Sequence, residues 1–213
     1  MAGCSCSDGI KFDGLSAGYK RALWAVIAIN ATMFLVEMGA GMLSGSQALK
    51  ADALDFLGDT ATYAISLFVI GMPLIWRARA ALFKGLSLGA MGLWVFGSTV
   101  FQILVLGVPQ AEIMGAIGFL AIVANLGSVL LLLKYRDGDA NVRSVWLCSR
   151  NDAIGNLAVI LAAGGVWSTS TAWPDLIVAG IMASLFLYSS IGIIRQAVDE
   201  LGMVSEGAEE SGD

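Results

Sequence analysis

Six apolar stretches dominate this chain, at 22–44, 48–72, 84–107, 111–134, 144–168 and 174–195. Each is long enough to cross a hydrocarbon layer about 30 Å thick. A backbone in lipid finds no water to bond, so such stretches fold as helices that satisfy their own N–H and C=O groups. Only 14% of the 213 residues are charged, a share that soluble domains rarely show. The connections are too short to hold a folded soluble domain. The expected fold is an all-α integral membrane protein with six transmembrane helices in one domain at 20–196. A cytoplasmic segment at 1–19 precedes it. An acidic tail at 197–213, with Glu206, Glu209, Glu210 and Asp213, reads as disordered and cytoplasmic.

Basic residues set the expected orientation. Lys11, Lys20 and Arg21 precede the first stretch, and Arg77, Arg79 and Lys84 lie between the second and third. Lys134, Arg136 and Arg143 lie between the fourth and fifth, and Arg195 ends the sixth. The other three connections, near Gly45, Val108 and Thr169, hold no Lys or Arg. By the positive-inside rule both termini face the cytoplasm, N-in and C-in, in a multi-pass protein of the inner (cytoplasmic) membrane. The lipid bilayer is then a partner, and nothing supports binding of nucleic acid.

Four residues carry the chemistry. Asp55 and Asp59 lie in the second stretch, and Cys148 and Asp152 in the fifth. Each pair is spaced i, i+4, so on a helix both side chains share one face about one turn apart. At a rise of 1.5 Å per residue, Asp59 lies roughly 18 Å into its helix and Asp152 roughly 12 Å into its own. Both depths fall near mid-membrane, where acidic side chains are costly and mark an ion or substrate pathway. A carboxylate there must be neutralised by a proton, a cationic partner or a metal. Ligands lose their protons when a metal binds, so the same groups can serve protons and a divalent cation alternately. A thiolate favours soft ions such as Zn or Cd. The carboxylate majority keeps Co, Fe and Mn in play. Histidine is absent from the chain.

Several polar residues surround this set, each with two readings. Asp52 is either a helix-end residue salt-bridged to Lys50 or another group, or a part of the ion pathway. Arg150 either neutralises Asp152 or lines the inward-facing entrance. Cys148 is either a ligand or a small hydrophobe. Asn30 and Glu37, one heptad apart, either bond across helices or contribute to the pathway. Asn156, one turn beyond Asp152, fits a supporting residue or an alternative ligand. Cys4 and Cys6 form a C-x-C that either captures thiophilic metal or has no assigned role. Gly85 and Gly89 make a small-xxx-small pair that permits close helix approach, within the chain or between copies.

At these residues the chain resembles the cation diffusion facilitators. SGSQALKADALDFLGD (44–59) looks like that family's second-helix signature, and VWLCSRNDAIGNLAVILAA (145–163) like its fifth. TMFLVEMGAGMLSGS (32–46) is similar to its first helix and following turn. The resemblance covers about 20–196. It implies a dimeric, proton-coupled exporter of divalent metal, with Asp55, Asp59, Cys148 and Asp152 as the membrane site. Metal would be transported substrate, with no cofactor, and divalent ions and protons would be the exchanged partners. Cys148 stands where the family commonly has histidine. The loop after the second helix lacks the His and Asp residues of a secondary site. The chain also stops where a cytoplasmic domain commonly follows, so the expected homodimer would rest on membrane helices.

The expectation is therefore a divalent metal efflux transporter, Zn or Cd foremost, working by alternating access, and not an enzyme. A non-transporting membrane metal-binding or assembly partner is the alternative. A metal-dependent membrane-embedded enzyme fits less well. DALDFLGD only superficially resembles the Asp-rich motif of CDP-alcohol phosphotransferases: Phe56 follows Asp55, and no arginine stands in register.

Overall fold

The structure is a computed structural model that describes residues 16–69, 74–105, 107–135 and 140–210. Side chains at 66, 69, 74, 77, 105, 140–151 and 203–210 are outside the described set. Among the described residues there are six α-helices and no strand: α1 (Ala17–Ser44), α2 (Gln47–Val69), α3 (Leu74–Val105), α4 (Ala111–Leu132), α5 (Ala140–Thr169) and α6 (Trp173–Glu210). A single 3-10 turn, Leu133–Tyr135, ends α4.

Local chemistry sets several of the ends. Ser16 caps α1, its side chain accepting from the Tyr19 N–H at 3.2 Å, which satisfies one of the donors a helix start leaves open. Gly45 closes α1 with φ 77°, a left-handed conformation that a residue without Cβ adopts at no steric cost. That turn lets α2 reverse direction within two residues. Pro174 stands in the first turn of α6, where its missing N–H has no partner to lose.

Five helices contain a stretch long and apolar enough to cross a membrane: Ala17–Ser44, Ala78–Leu104, Ala111–Tyr135, Asp152–Thr169 and Trp173–Gly202. In α2, any membrane-length stretch includes Asp52, Asp55 and Asp59. Large apolar side chains such as Leu35, Phe101, Leu130 and Tyr188 face outward, while Asn30, Glu37, Asp52 and Asn125 are buried. This inside-out distribution suits a bundle in lipid.

Two boundaries differ from the sequence expectation. α3 begins at Leu74 rather than near 84. Its added turns are rich in Ala, Leu and Arg, which favour helix, and Arg79 lies over the Trp76 ring at 5.3 Å. α6 continues through Glu210, across a stretch expected to be disordered from 197. Gln196 donates to Glu200 at 2.9 Å one turn on, and the extension holds no proline to stop the helix.

Glycine governs the closest helix contacts. A Cβ at Gly85 would lie 2.8 Å from Ile194, one at Gly89 2.7 Å from Ser190 Oγ, and one at Gly92 3.0 Å from Leu187. Ser190 Oγ donates to the Gly85 carbonyl at 2.8 Å, a bond possible only at that approach. The Gly85/Gly89 pair therefore packs α3 on α6 within the chain. α1 meets α2 at Gly41, where a Cβ would stand 3.1 Å from the Lys50 backbone nitrogen. Helix α2 packs against α1, α3, α5 and α6, and α4 against α1 and α5.

Gly85→Ala is expected to cost about 1–3 kcal/mol through overpacking. Gly97→Ala, where a Cβ meets nothing within 4 Å, should be neutral or slightly stabilising. Thermal unfolding of the two variants in detergent checks this, and equal melting temperatures would contradict the tight α3–α6 seam.

Candidate functional site

The bundle's buried polar groups converge at mid-helix. Asn30 stands at the middle of α1, Asp59 near the middle of α2, and Asp152 near the middle of α5. Asn30, Asp52, Asp55, Phe56, Asp59, Asn125 and Asp152 surround a constricted gap too narrow to admit a water-sized sphere. Four helices thus contribute to one locus. Helical spacing explains why: residues three, four and seven apart share a face, which turns Asp52, Asp55 and Asp59 inward together.

The three carboxylates expected from sequence to share a site do line one gap. Asp152 abuts both Asp55 and Asp59 across the α2–α5 contact. Its Oδ2 is buried without a hydrogen-bond partner. The Tyr63 hydroxyl donates to Asp59 Oδ2, so a phenol fixes one oxygen of that carboxylate. Among the described residues, no three Asp, Glu or Cys side chains form a ready-made coordination cage. Cys148 and Arg150 lie on α5, but their side chains are outside the described residues. Cys4 and Cys6 are outside them altogether.

The surrounding residues take distinct places. Asp52 is 1% exposed and faces Glu37 of α1, rather than pairing with Lys50 as one sequence reading had it. Both Glu37 oxygens and Asp52 Oδ2 are buried without partners. Asn30 donates to the Val26 carbonyl of its own helix at 2.8 Å, so its amide bond is local rather than interhelical. Asn156 is fully buried one turn beyond Asp152, with both amide atoms unpartnered.

Three lining or supporting residues, Phe56, Tyr63 and Asn125, escaped the sequence reading. Tyr63 continues the series Asp55, Asp59, Tyr63 at i, i+4, and that spacing was visible. Asn125 lies in the most apolar of the membrane-length helices, where a lone amide in an aliphatic run was the available signal. It is 1% exposed with neither amide atom bonded. An unsatisfied buried polar group costs about 1–3 kcal/mol, so several gathered at one place mark a functional locus rather than a stabilising one. Chemically, the gap offers carboxylate and amide oxygens in water-poor surroundings, an environment that demands a compensating cation or proton.

Asn125→Leu should leave thermal stability unchanged or raise it, since no hydrogen bond is lost and an apolar group replaces a stranded amide. A drop of more than about 1 kcal/mol in unfolding experiments would show that the amide has a structural partner.

Comparison with known proteins comes to the same region. Residues 77–202 match the family model described as the cation efflux transmembrane domain. The chain is 24% identical over 204 residues to the metal cation efflux system protein CzcD of Cupriavidus metallidurans, covering 86% of this chain and 64% of that one. It is 30% identical over 195 residues to the zinc transporter ZitB of Escherichia coli, covering 85% and 62%. It is 26% identical over 202 residues to ZitB of Pectobacterium atrosepticum, covering 87% and 62%. The chain thus spans less than two thirds of the length of these relatives.

Proposed function

The chain belongs to the cation diffusion facilitator family of metal cation efflux proteins, and on that premise we propose that it exports Zn or Cd in exchange for protons. The observation that carries the reading is the meeting of Asp55, Asp59 and Asp152, from two helices, around one mid-bundle gap. Three carboxylates in apolar surroundings need positive charge, and a divalent ion or protons can supply it in turn. Cys148, four residues before Asp152 on the same helix, adds a soft ligand that favours Zn and Cd over Mg or Ca. Relatives named as a zinc transporter and a metal cation efflux system protein support a metal cation cargo, with zinc named for one of them.

In this reading α2 is the sixth span. Its carboxylates are tolerated because α1, α3, α5 and α6 shield it. The ends of α1, α3, α4 and α6 that carry Lys20, Arg21, Arg79, Lys84, Lys134 and Arg195 face the cytoplasm. Both termini lie there, and the membrane is the inner one. Metal loads from the cytoplasm as the site loses protons. The site then opens outward, where protons displace the metal. Two copies pair through their membrane helices.

The test is metal flux into proteoliposomes with an imposed pH gradient, comparing Zn, Cd, Co and Mn. Flux should require the gradient, reverse with it, and fall at least about a hundredfold in Asp59→Ala, a loss of about 2.7 kcal/mol in the transport barrier. Cys148→Ser should reduce the preference for Cd over Mn about tenfold, or 1.4 kcal/mol. Folded protein that binds Zn but moves no metal would replace the exporter with a non-transporting metal-binding partner.

A further inference from the structure

Another buried carboxylate stands apart from the gap. Asp175, in the first turn of α6, is 1% exposed. Its Oδ1 accepts from Ser46 Oγ at 2.6 Å and from the Ala48 N–H at 3.0 Å. Its Oδ2 accepts from the Gln47 N–H at 2.8 Å. Ser46 Oγ in turn accepts from the Leu49 N–H at 3.0 Å. A helix start leaves its first N–H groups open and carries partial positive charge. In α2 those groups are satisfied by Ser46 locally and by Asp175 from another helix, with Lys50 nearby as a favourable charge.

This junction joins two parts of the bundle. α3 and α6 are locked together by the glycine seam, and α2 packs most closely with α1. At the same end, the Gln110 N–H bonds the Ser44 carbonyl at 3.0 Å, and a Cβ at Gly165 would stand 2.8 Å from Pro174. The three connections without Lys or Arg are thus drawn together at one end of the bundle. Elsewhere the α2–α6 contact is apolar, through Ala51, Leu54, Ala179 and Met182. Charge-assisted hydrogen bonds are the strong polar links of a protein interior, and here they cross that seam at its end.

We propose that Asp175 is a positioning residue that latches the α3–α6 pair to the first turn of α2 and holds this end closed over the cation gap. The inference rests on the transport reading above. A cation leaving by this end requires α2 and α6 to part. Helix α2 carries the displacement from Ala48 to Asp55, about 10 Å along its axis. Parting exposes the carboxylate and the α2 amides to entering water, which bonds them nearly as well as they bond each other. The latch is therefore reversible, as a gate must be.

The experiment is hydrogen–deuterium exchange on the full chain in nanodiscs, with and without Zn, read at amides 46–50, beside proteoliposome Zn flux. In the wild type, Zn changes exchange at these amides about tenfold, the mark of a 1.4 kcal/mol shift in local opening. Asp175→Ala leaves them in fast exchange with or without Zn, keeps mid-α2 amides protected, and holds Zn affinity within about twofold. Its kcat falls about tenfold with KM for Zn little moved, because the switching step rather than the binding site is altered. Ser46→Ala removes one hydrogen bond, gives the same changes in smaller measure, and decides the matter if Asp175→Ala does not fold. Exchange at 46–50 indifferent to Zn in the wild type, or a normal kcat in the variants, overturns the latch. Absence of wild-type flux would instead overturn the transport reading, with amide exchange still reporting whether this end opens.

Discussion

Carboxylate groups held away from water constrain everything else in this bundle. An ionised carboxylate in an apolar medium is so costly that it must be contained and compensated. Containment is visible in the packing. The inward face of α2 carries Asp52, Asp55 and Asp59, and α1, α3, α5 and α6 all pack on that helix. Compensation comes partly from side chains, such as the Tyr63 hydroxyl on Asp59. In the proposed reading the rest falls to mobile positive charge, a divalent ion or protons in turn.

The carboxylates that meet α2 at its middle and at its start show opposite solutions. At mid-helix, Asp55, Asp59 and Asp152 face one another, and Asp152 Oδ2 is buried without a partner. At the helix start, Asp175 meets two backbone N–H groups, a hydroxyl and the positive end of the helix dipole. The first arrangement leaves an Asp152 oxygen unsatisfied and in the proposed reading is completed by a ligand. The second is satisfied within the protein and serves to hold parts together. On the proposed reading, similar chemistry serves binding in one place and closure in the other.

Much of the fold was legible in the sequence because lipid permits so few backbone solutions. The helices fall on the six apolar stretches, and Asp55, Asp59 and Asp152 reach one gap because i, i+4 spacing survives in any regular helix. Element ends were less legible. α3 and α6 extend beyond their apolar runs because helix propensity and i, i+4 pairs carry on where hydrophobicity stops. Asn125 and the Glu37–Asp52 contact were hidden because they depend on which face of α1 and α4 turns inward. The Asp175 junction was hidden for a stronger reason: its partners are 127 to 129 residues apart in sequence.

The sequence by itself determined that this chain is a bundle of membrane-length helices, and which carboxylates share a helical face. Those facts follow from hydrophobic length and from a 3.6-residue period, both local properties. Only the tertiary structure decided that α2 and α5 place their carboxylates against each other, that Gly85 and Gly89 serve α6 within the chain, and that Asp175 caps α2. Each of these depends on how far apart two helices lie and how each is rotated about its axis. Distance and rotation are set by side-chain volumes meeting across the whole bundle, which no single stretch of sequence contains.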